Sequence, residues 1–216
     1  IEAMIADRAA ELLAEKRELD SEHGRRVFSV LLFQDIAVIP LLILIPALAA
    51  AVPGGSLRAA EYLSIPQAQA VLFPAGTRFE KTPVTLTGEQ LKQIKDRSGS
   101  RQREKSPAVW KAVKGGEHLG WFVVDNVIGK HEFITYGAAL SASGTVLGLE
   151  ILTYRETHGE EVSDKQWRAK FRGKTLSSPF KLDEDIPNIS GATLSCRSLT
   201  DGVKRLLVLQ QVALKP

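Results

Sequence analysis

Two short polar stretches carry the residue types best suited to chemistry. The first is Asn188-Ile189-Ser190-Gly191-Ala192-Thr193-Leu194-Ser195, followed at once by an apolar-periodic helix pattern. Ser190 is placed to cap that helix, with Thr193 one turn inside. A helix start offers unpaired N–H groups and a partial positive charge, which suit a phosphate. The same residues also suit a plain helix start behind a glycine turn. The second stretch is Tyr154-Arg155-Glu156-Thr157-His158-Gly159. A polar cluster closing on glycine suits a loop that bends back over a ligand, and equally a strand-end turn with solvated charges. The sole cysteine, Cys196, excludes an internal disulfide, a cysteine-based structural zinc site and a cysteine-ligated iron–sulfur cluster. Its place on the coming helix reads as core packing rather than as a thiol that attacks a cofactor. Asp35, beside Gln34 in an apolar block, is a charge where charge is costly and usually functional.

Positioning the two stretches requires a sheet and a helix. Leu119–Asn126, Phe133–Leu140 and Thr145–Thr153 read as strands, with Ser143-Gly144 as the tight turn of an antiparallel hairpin. In the last strand Leu147, Leu149 and Ile151 are expected to form the buried face. Gly137 and Gly148 within strands mark bulges or close approach of another group. The second polar stretch then closes that strand. Trp167 and Phe171 have helical spacing and read as core contacts. After the first stretch, Leu194, Leu199, Val203, Leu206 and Leu207 form the apolar face of a helix reaching Leu214. Arg197, Asp201, Lys204 and Arg205 take its polar face. Earlier, Ser64-Ile65-Pro66-Gln67 and Thr87-Gly88-Glu89-Gln90 are capping boxes that open two helices, and Thr82–Leu86 is a strand candidate. Asp96–Lys105 is a polar, basic run read as a solvated loop.

The N-terminal quarter has a different character. Residues 1–26 form a polar helix rich in Ala, Glu, Leu and Arg, and residues 27–52 form an apolar block long enough to span a bilayer. Arg25 and Arg26 precede the block, so the positive-inside rule puts the N-terminus in the cytoplasm and the later residues outside. Ala47-Leu48-Ala49 also resembles a signal-peptide cleavage site. Residues 53–60 begin Pro-Gly-Gly-Ser and read as a linker, and residues 61–216 as one further domain. The expected architecture is therefore α+β: an antiparallel sheet with flanking helices, preceded by a single transmembrane helix. A net charge of +3 without an aromatic-interleaved basic surface gives no reason to expect a nucleic-acid partner.

Taken in this order and spacing, the two polar stretches resemble those of the FMN-binding domain family. Its members include the flavin-carrying subunits of sodium-translocating NADH:quinone reductase and of Rnf electron-transport complexes. The resemblance covers about residues 61–210. It implies FMN joined by a phosphoester to the hydroxyl of Thr193, with Ser190, Gly191 and Ala192 forming the close approach. It also implies that Glu156, Thr157, His158 and Gly159 correspond to the family's Glu-Thr-Pro-Gly turn. A separate flavin transferase would make the bond, and a membrane redox partner would exchange electrons with the flavin. That describes a redox carrier at the inner membrane, with its domain on the extracytoplasmic, periplasmic side, rather than a stand-alone enzyme. Two residues depart from the family pattern. His158 stands where proline is usual, and Pro187 stands where an acidic residue is usual, with Asp185 two positions earlier. Separately, Gly24 to Pro40, including Gln34-Asp35, resembles one transmembrane helix of Kef-type potassium/proton antiporters. That likeness implies an alternative, a transport-related module or antiporter fragment.

Overall fold

The computed structural model describes Arg8 and residues 60–214. The polar helix expected over 1–26 (Arg8 apart), the anchor over 27–52 and the linker up to residue 59 lie outside the described residues. Among the described residues, no helix is long and apolar enough to cross a membrane.

Six antiparallel strands form one sheet in the order β1-β6-β5-β4-β3-β2. They are β1 (Ala60–Glu61), β2 (Arg78–Thr82), β3 (Ala108–Lys114), β4 (Glu117–Ile128), β5 (Phe133–Ser141) and β6 (Val146–Tyr154). Helices α1 (Ile65–Leu72), α2 (Gly88–Ser98), α3 (Lys165–Ala169) and α4 (Thr193–Ala213) flank it. A short 3-10 turn, Glu160–Ser163, precedes α3. The α+β architecture, an antiparallel sheet with flanking helices, is as the sequence pattern leads one to expect.

The sheet is covered on both faces, and β4 shows why. Its alternate residues Trp121, Val123 and Val127 join the larger core beneath α4, together with Leu199, Val203, Leu206 and Leu207. Phe122 points the other way, into a smaller core with Ala68 and Phe73 of the α1 segment. Burying each such Leu or Val is worth about 1.5–3 kcal/mol relative to exposure. Trp110 and Phe79 pack their rings against Phe122, with centroids 5.8 and 6.5 Å away. Gly137 of β5 pairs with Val124, diagonal to Phe122, and a Cβ there would come within 2.5 Å of the Phe122 ring. Gly148 is pressed in the same way by Leu72 of α1, at 2.5 Å. Both glycines mark close approach.

Several local expectations are corrected. Thr82–Leu86 is not a strand: the strand ends at Thr82, and Pro83 removes the N–H that would continue the ladder. The basic run begins inside α2, which extends to Ser98 and stops at Gly99 with φ 78°. In β6, Leu149 and Ile151 are buried as expected, but so are Val146 and Leu152. Register shifts at Thr135/Tyr136 and Ala139/Leu140 break the alternation there, and α1 covers the second face. Arg205 is not on a solvated face. It is buried, and its Nη2 lies 2.5 Å from Asp125 Oδ2. The Tyr136 hydroxyl donates to the same carboxylate oxygen at 2.9 Å. This network ties the middle of α4 to β4 and β5. Removing one partner of such a pair costs about 3–5 kcal/mol, because the remaining charge stays buried.

Candidate functional site

In the Ser-Gly-Ala-Thr stretch the residues before Thr193 form a turn that leads into the helix, and Ser190 is not its cap. Ala192 N–H donates to the Ile189 carbonyl at 3.0 Å, closing a turn in which Gly191 takes φ 87°. A side chain at that position would be strained. Helix α4 therefore starts at Thr193, with Ala192 in the capping position and no side-chain cap. Ser190, expected as the cap, lies outside the helix. Cys196 N–H makes the first intrahelical bond, to the Ala192 carbonyl at 2.9 Å. The N–H groups of Thr193, Leu194 and Ser195 thus precede the first helical ladder bond. Leu194, expected on the apolar face, is 47% exposed. Cys196 is buried, and burial pushes its thiol up, which suits core packing rather than reactivity.

The Glu-Thr-His-Gly turn is folded directly onto this helix start. The Tyr154 hydroxyl, at the end of β6, donates to the His158 carbonyl at 2.6 Å and lies 3.3 Å from Ser195 Oγ. Gly159 has φ 87°, and a Cβ on it would meet Tyr154 Oη at 2.9 Å and Ser195 Oγ at 3.2 Å. Only glycine fits between the turn and the helix. The rigidity that a proline at position 158 would supply comes here from Tyr154. Its phenol is pushed up by burial and stays a neutral donor. Thr157 Oγ1 and His158 Nδ1 lie 2.9 Å apart on the exposed side.

Glu156 turns toward the loop between β4 and β5. Its Oε1 accepts from His131 N–H at 2.5 Å and Glu132 N–H at 2.8 Å. Burial pushes this carboxyl up, but the backbone N–H groups of Glu132, His131 and Lys130 outweigh it and hold the group below the ordinary range. A Cβ on Gly129 would come within 2.6 Å of the same oxygen, so this glycine makes room for the carboxylate. Glu156 thereby fixes the loop that presents Lys130 and His131.

The segment leading into the motif is held as firmly. Trp167 Nε1 donates to the Pro187 carbonyl at 2.7 Å, and Trp167 packs edge-to-face on Phe171 at 5.2 Å. Asp185 pairs with Lys174 Nζ at 2.6 Å and accepts from Lys181 N–H at 2.8 Å. Burial raises this carboxyl, but those donors outweigh it and depress it. Its carboxylate is committed to the loop and is largely covered, so it does not face outward in place of the acidic residue that Pro187 displaces.

These elements enclose one pocket of about 470 Å³. The turn contributes Glu156, Thr157 and His158, and the helix start contributes Gly191 through Ser195. The β4–β5 loop adds Lys130 and His131, which sequence pattern alone does not single out. Ser190, which is exposed, and Gly159, which is buried, do not line the pocket. The size suits a small-molecule ligand. Free helix-start N–H groups and Lys130 suit a phosphate, and the exposed Leu194 offers apolar surface to a ring. The donor set therefore fits a flavin mononucleotide.

Fold and pocket together define a single-sheet α+β domain whose small-molecule site lies between a strand-end turn and a helix start. Residues 129–208 match the family model of the FMN-binding domain. The match includes every pocket-lining residue. The segment carries an FMN-binding domain, and its cofactor is FMN. Among solved structures, the chain is similar to NqrC of Shewanella oneidensis, at 19% identity and a TM-score of 0.43, covering 58% of this chain and 63% of that one. It is also similar to the corresponding component of the Na(+)-translocating NADH-quinone reductase from Parabacteroides distasonis, at 16% identity and a TM-score of 0.37, covering 59% of this chain and 78% of that one. A stretch of 36 residues is 64% identical to the chloroplastic K(+) efflux antiporters 2 and 1 of Arabidopsis thaliana. That stretch is 17% of this chain and 3% of either antiporter.

Proposed function

We propose that the chain is a membrane-anchored flavoprotein that carries electrons on FMN attached covalently to Thr193. The observation that carries this reading is the pocket itself. Thr193, the first residue of α4, lines it opposite the Glu156–His158 turn. A hydroxyl there can displace AMP from FAD with the help of a flavin transferase. Thr193 would carry the FMN phosphate as an ester, with AMP as the leaving group and the hydroxyl proton given up to solvent. The phosphoester charge then sits in the first helical turn, where the helix dipole is worth about 0.3–1 kcal/mol.

The bound flavin supplies the redox chemistry. The protein's residues hold and orient it. Thr193 would tether the phosphate, Gly191 and Ala192 allow close backbone approach, and Lys130, beside His131, sets positive charge on the pocket wall. Ser190 and Gly159 shape the turns, while Glu156 and Tyr154 position the walls. Residues 27–52 would anchor the chain in the inner membrane with this domain on the periplasmic side, where covalent attachment prevents loss of the cofactor. A membrane redox partner would exchange electrons with it.

Co-expression with a flavin transferase, followed by fluorescence of the denatured band in a gel, tests the attachment. The wild-type band is expected to fluoresce and the Thr193→Val band to be dark. A dark wild-type band, or a bright Thr193→Val band, refutes the covalent tether. A second reading, a transport-related module, rests on the 36-residue antiporter match. It requires vesicle ion flux that falls on Asp35→Asn.

A further inference from the structure

A second pocket, of about 460 Å³, opens further along α4, on the stripe that begins at Leu194 and continues through Ser198, Asp201 and Arg205. Its remaining walls are the end of β4 and the loop after α2, which contributes Ser100, Arg101 and Arg103. None of the residues that line this second pocket lines the flavin pocket.

The lining is rich in donors. Arg101 and Arg103 are exposed guanidiniums, and Arg103 is steadied over the Phe133 ring at 5.9 Å. Arg205 forms part of the wall although its side chain is only 5% exposed, and its Nε has no hydrogen-bond partner among the described residues. The polar neighbours spend their acceptors within the protein. Ser100 Oγ accepts from Arg205 Nη1 at 2.7 Å, and Asn126 Oδ1 accepts from Thr135 Oγ1 at 2.7 Å. The exposed cations of the lining are Arg101 and Arg103. Asp201 is the one carboxylate among the described wall residues; burial pushes it up, and Arg197, Lys204 and Arg205 work against that. A planar guanidinium matches paired oxygens of carboxylate or phosphate.

We propose that this pocket binds a small oxyanion, a polycarboxylate or a phosphate, gripped by Arg101 and Arg103 and seated against Arg205 and Ser198. The site is independent of the flavin tether. Isothermal titration of the FMN-loaded chain, its flavin pocket filled, with citrate and, separately, with orthophosphate tests it. Saturable binding of one anion per chain is expected, weakened roughly tenfold or more by Arg101→Gln/Arg103→Gln. Lys130→Gln/His131→Gln, in the flavin pocket, should leave it unchanged. Tighter binding of citrate would mark a carboxylate site, and tighter binding of orthophosphate a phosphate site. Absence of saturable binding at millimolar anion overturns the proposal. So does binding that survives the arginine variant, or binding abolished by the Lys130/His131 variant. Because Arg101 and Arg103 are exposed, their loss leaves the core intact, which unchanged circular dichroism would verify.

Discussion

At the scale of single residues, Glu156 shows how a motif position acts through its neighbours. Its carboxylate gathers the backbone N–H groups of His131 and Glu132 and so fixes a loop that lies 24 and 25 residues away in sequence. Its carboxyl is held below the usual value of 4.5 in the folded chain. A depressed folded value means stability that is present above the unfolded value and lost as pH falls toward and through the folded one. Urea midpoints of the wild type should therefore decline as pH drops below about 4.5. Asp185, also depressed, contributes to the same decline. The comparison with Glu156→Gln isolates Glu156: its midpoint should fall less steeply in that window and start lower at neutral pH. Parallel curves for the two proteins would show that the carboxylate is not held by the loop. The motif was legible because turn chemistry is local. Glycine at 159 and 191 and the hydroxyl at 193 announce themselves in sequence. The partners were not legible, since Tyr154 looks like any strand-end aromatic, and Lys130 and His131 reach the pocket only through a hairpin.

At the scale of elements, the long helix α4 places Thr193 at one end by being pinned in its middle. Its apolar period was readable, and so were the strands it lies on. Arg205 was not, because charge on a helix is normally solvent-facing, and only the fold reveals that Asp125 of β4 waits beneath it. Gly202 belongs to the same junction. In an isolated helix, Gly→Ala gains about 0.8–1 kcal/mol of propensity. Here a Cβ would lie 2.6 Å from Tyr136 Oη and 2.8 Å from Val127 Cγ1. The Tyr136 hydroxyl is held by Asp125 at 2.9 Å and cannot swing aside without losing that bond. Overpacking of this kind costs about 1–3 kcal/mol. Clash and lost bonding together outweigh the propensity gain, so Gly202→Ala should lower the thermal midpoint. An unchanged or raised midpoint in a circular dichroism melt would mean that α4 has room to lift from the sheet.

At the scale of the whole molecule, the antiparallel order of the sheet decides what lies beside the pocket. Strand β1 is only two residues long and pairs with the end of β6, placing Ala60 opposite Tyr154 and Glu61 opposite Thr153. Tyr62 N–H extends the contact to the Leu152 carbonyl at 3.0 Å. Nothing in Ala60-Glu61-Tyr62 marks a strand in sequence, and pairing this short follows from the sheet edge rather than from propensity. Yet it caps the edge of β6 immediately before Tyr154, the residue that locks the Glu156–Gly159 turn onto α4. The chain's entry into the domain is thus coupled to the pocket wall. A chain beginning at Leu63 keeps α1, the capping boxes and both cores, and should fold. Its β6 edge would be open to water from Leu152 to Tyr154. Hydrogen exchange of amides 152–159 should then speed up, while amides of α4 around Arg205 stay protected, since the Asp125–Arg205–Tyr136 network does not involve β1. If the tether to Thr193 holds FMN as proposed, the shortened chain should still carry covalent flavin, but with greater solvent quenching of its fluorescence. Equal exchange in both chains would show that Tyr154 needs no support from the edge strand. Faster exchange throughout α4 would show instead that β1 stabilises the domain globally.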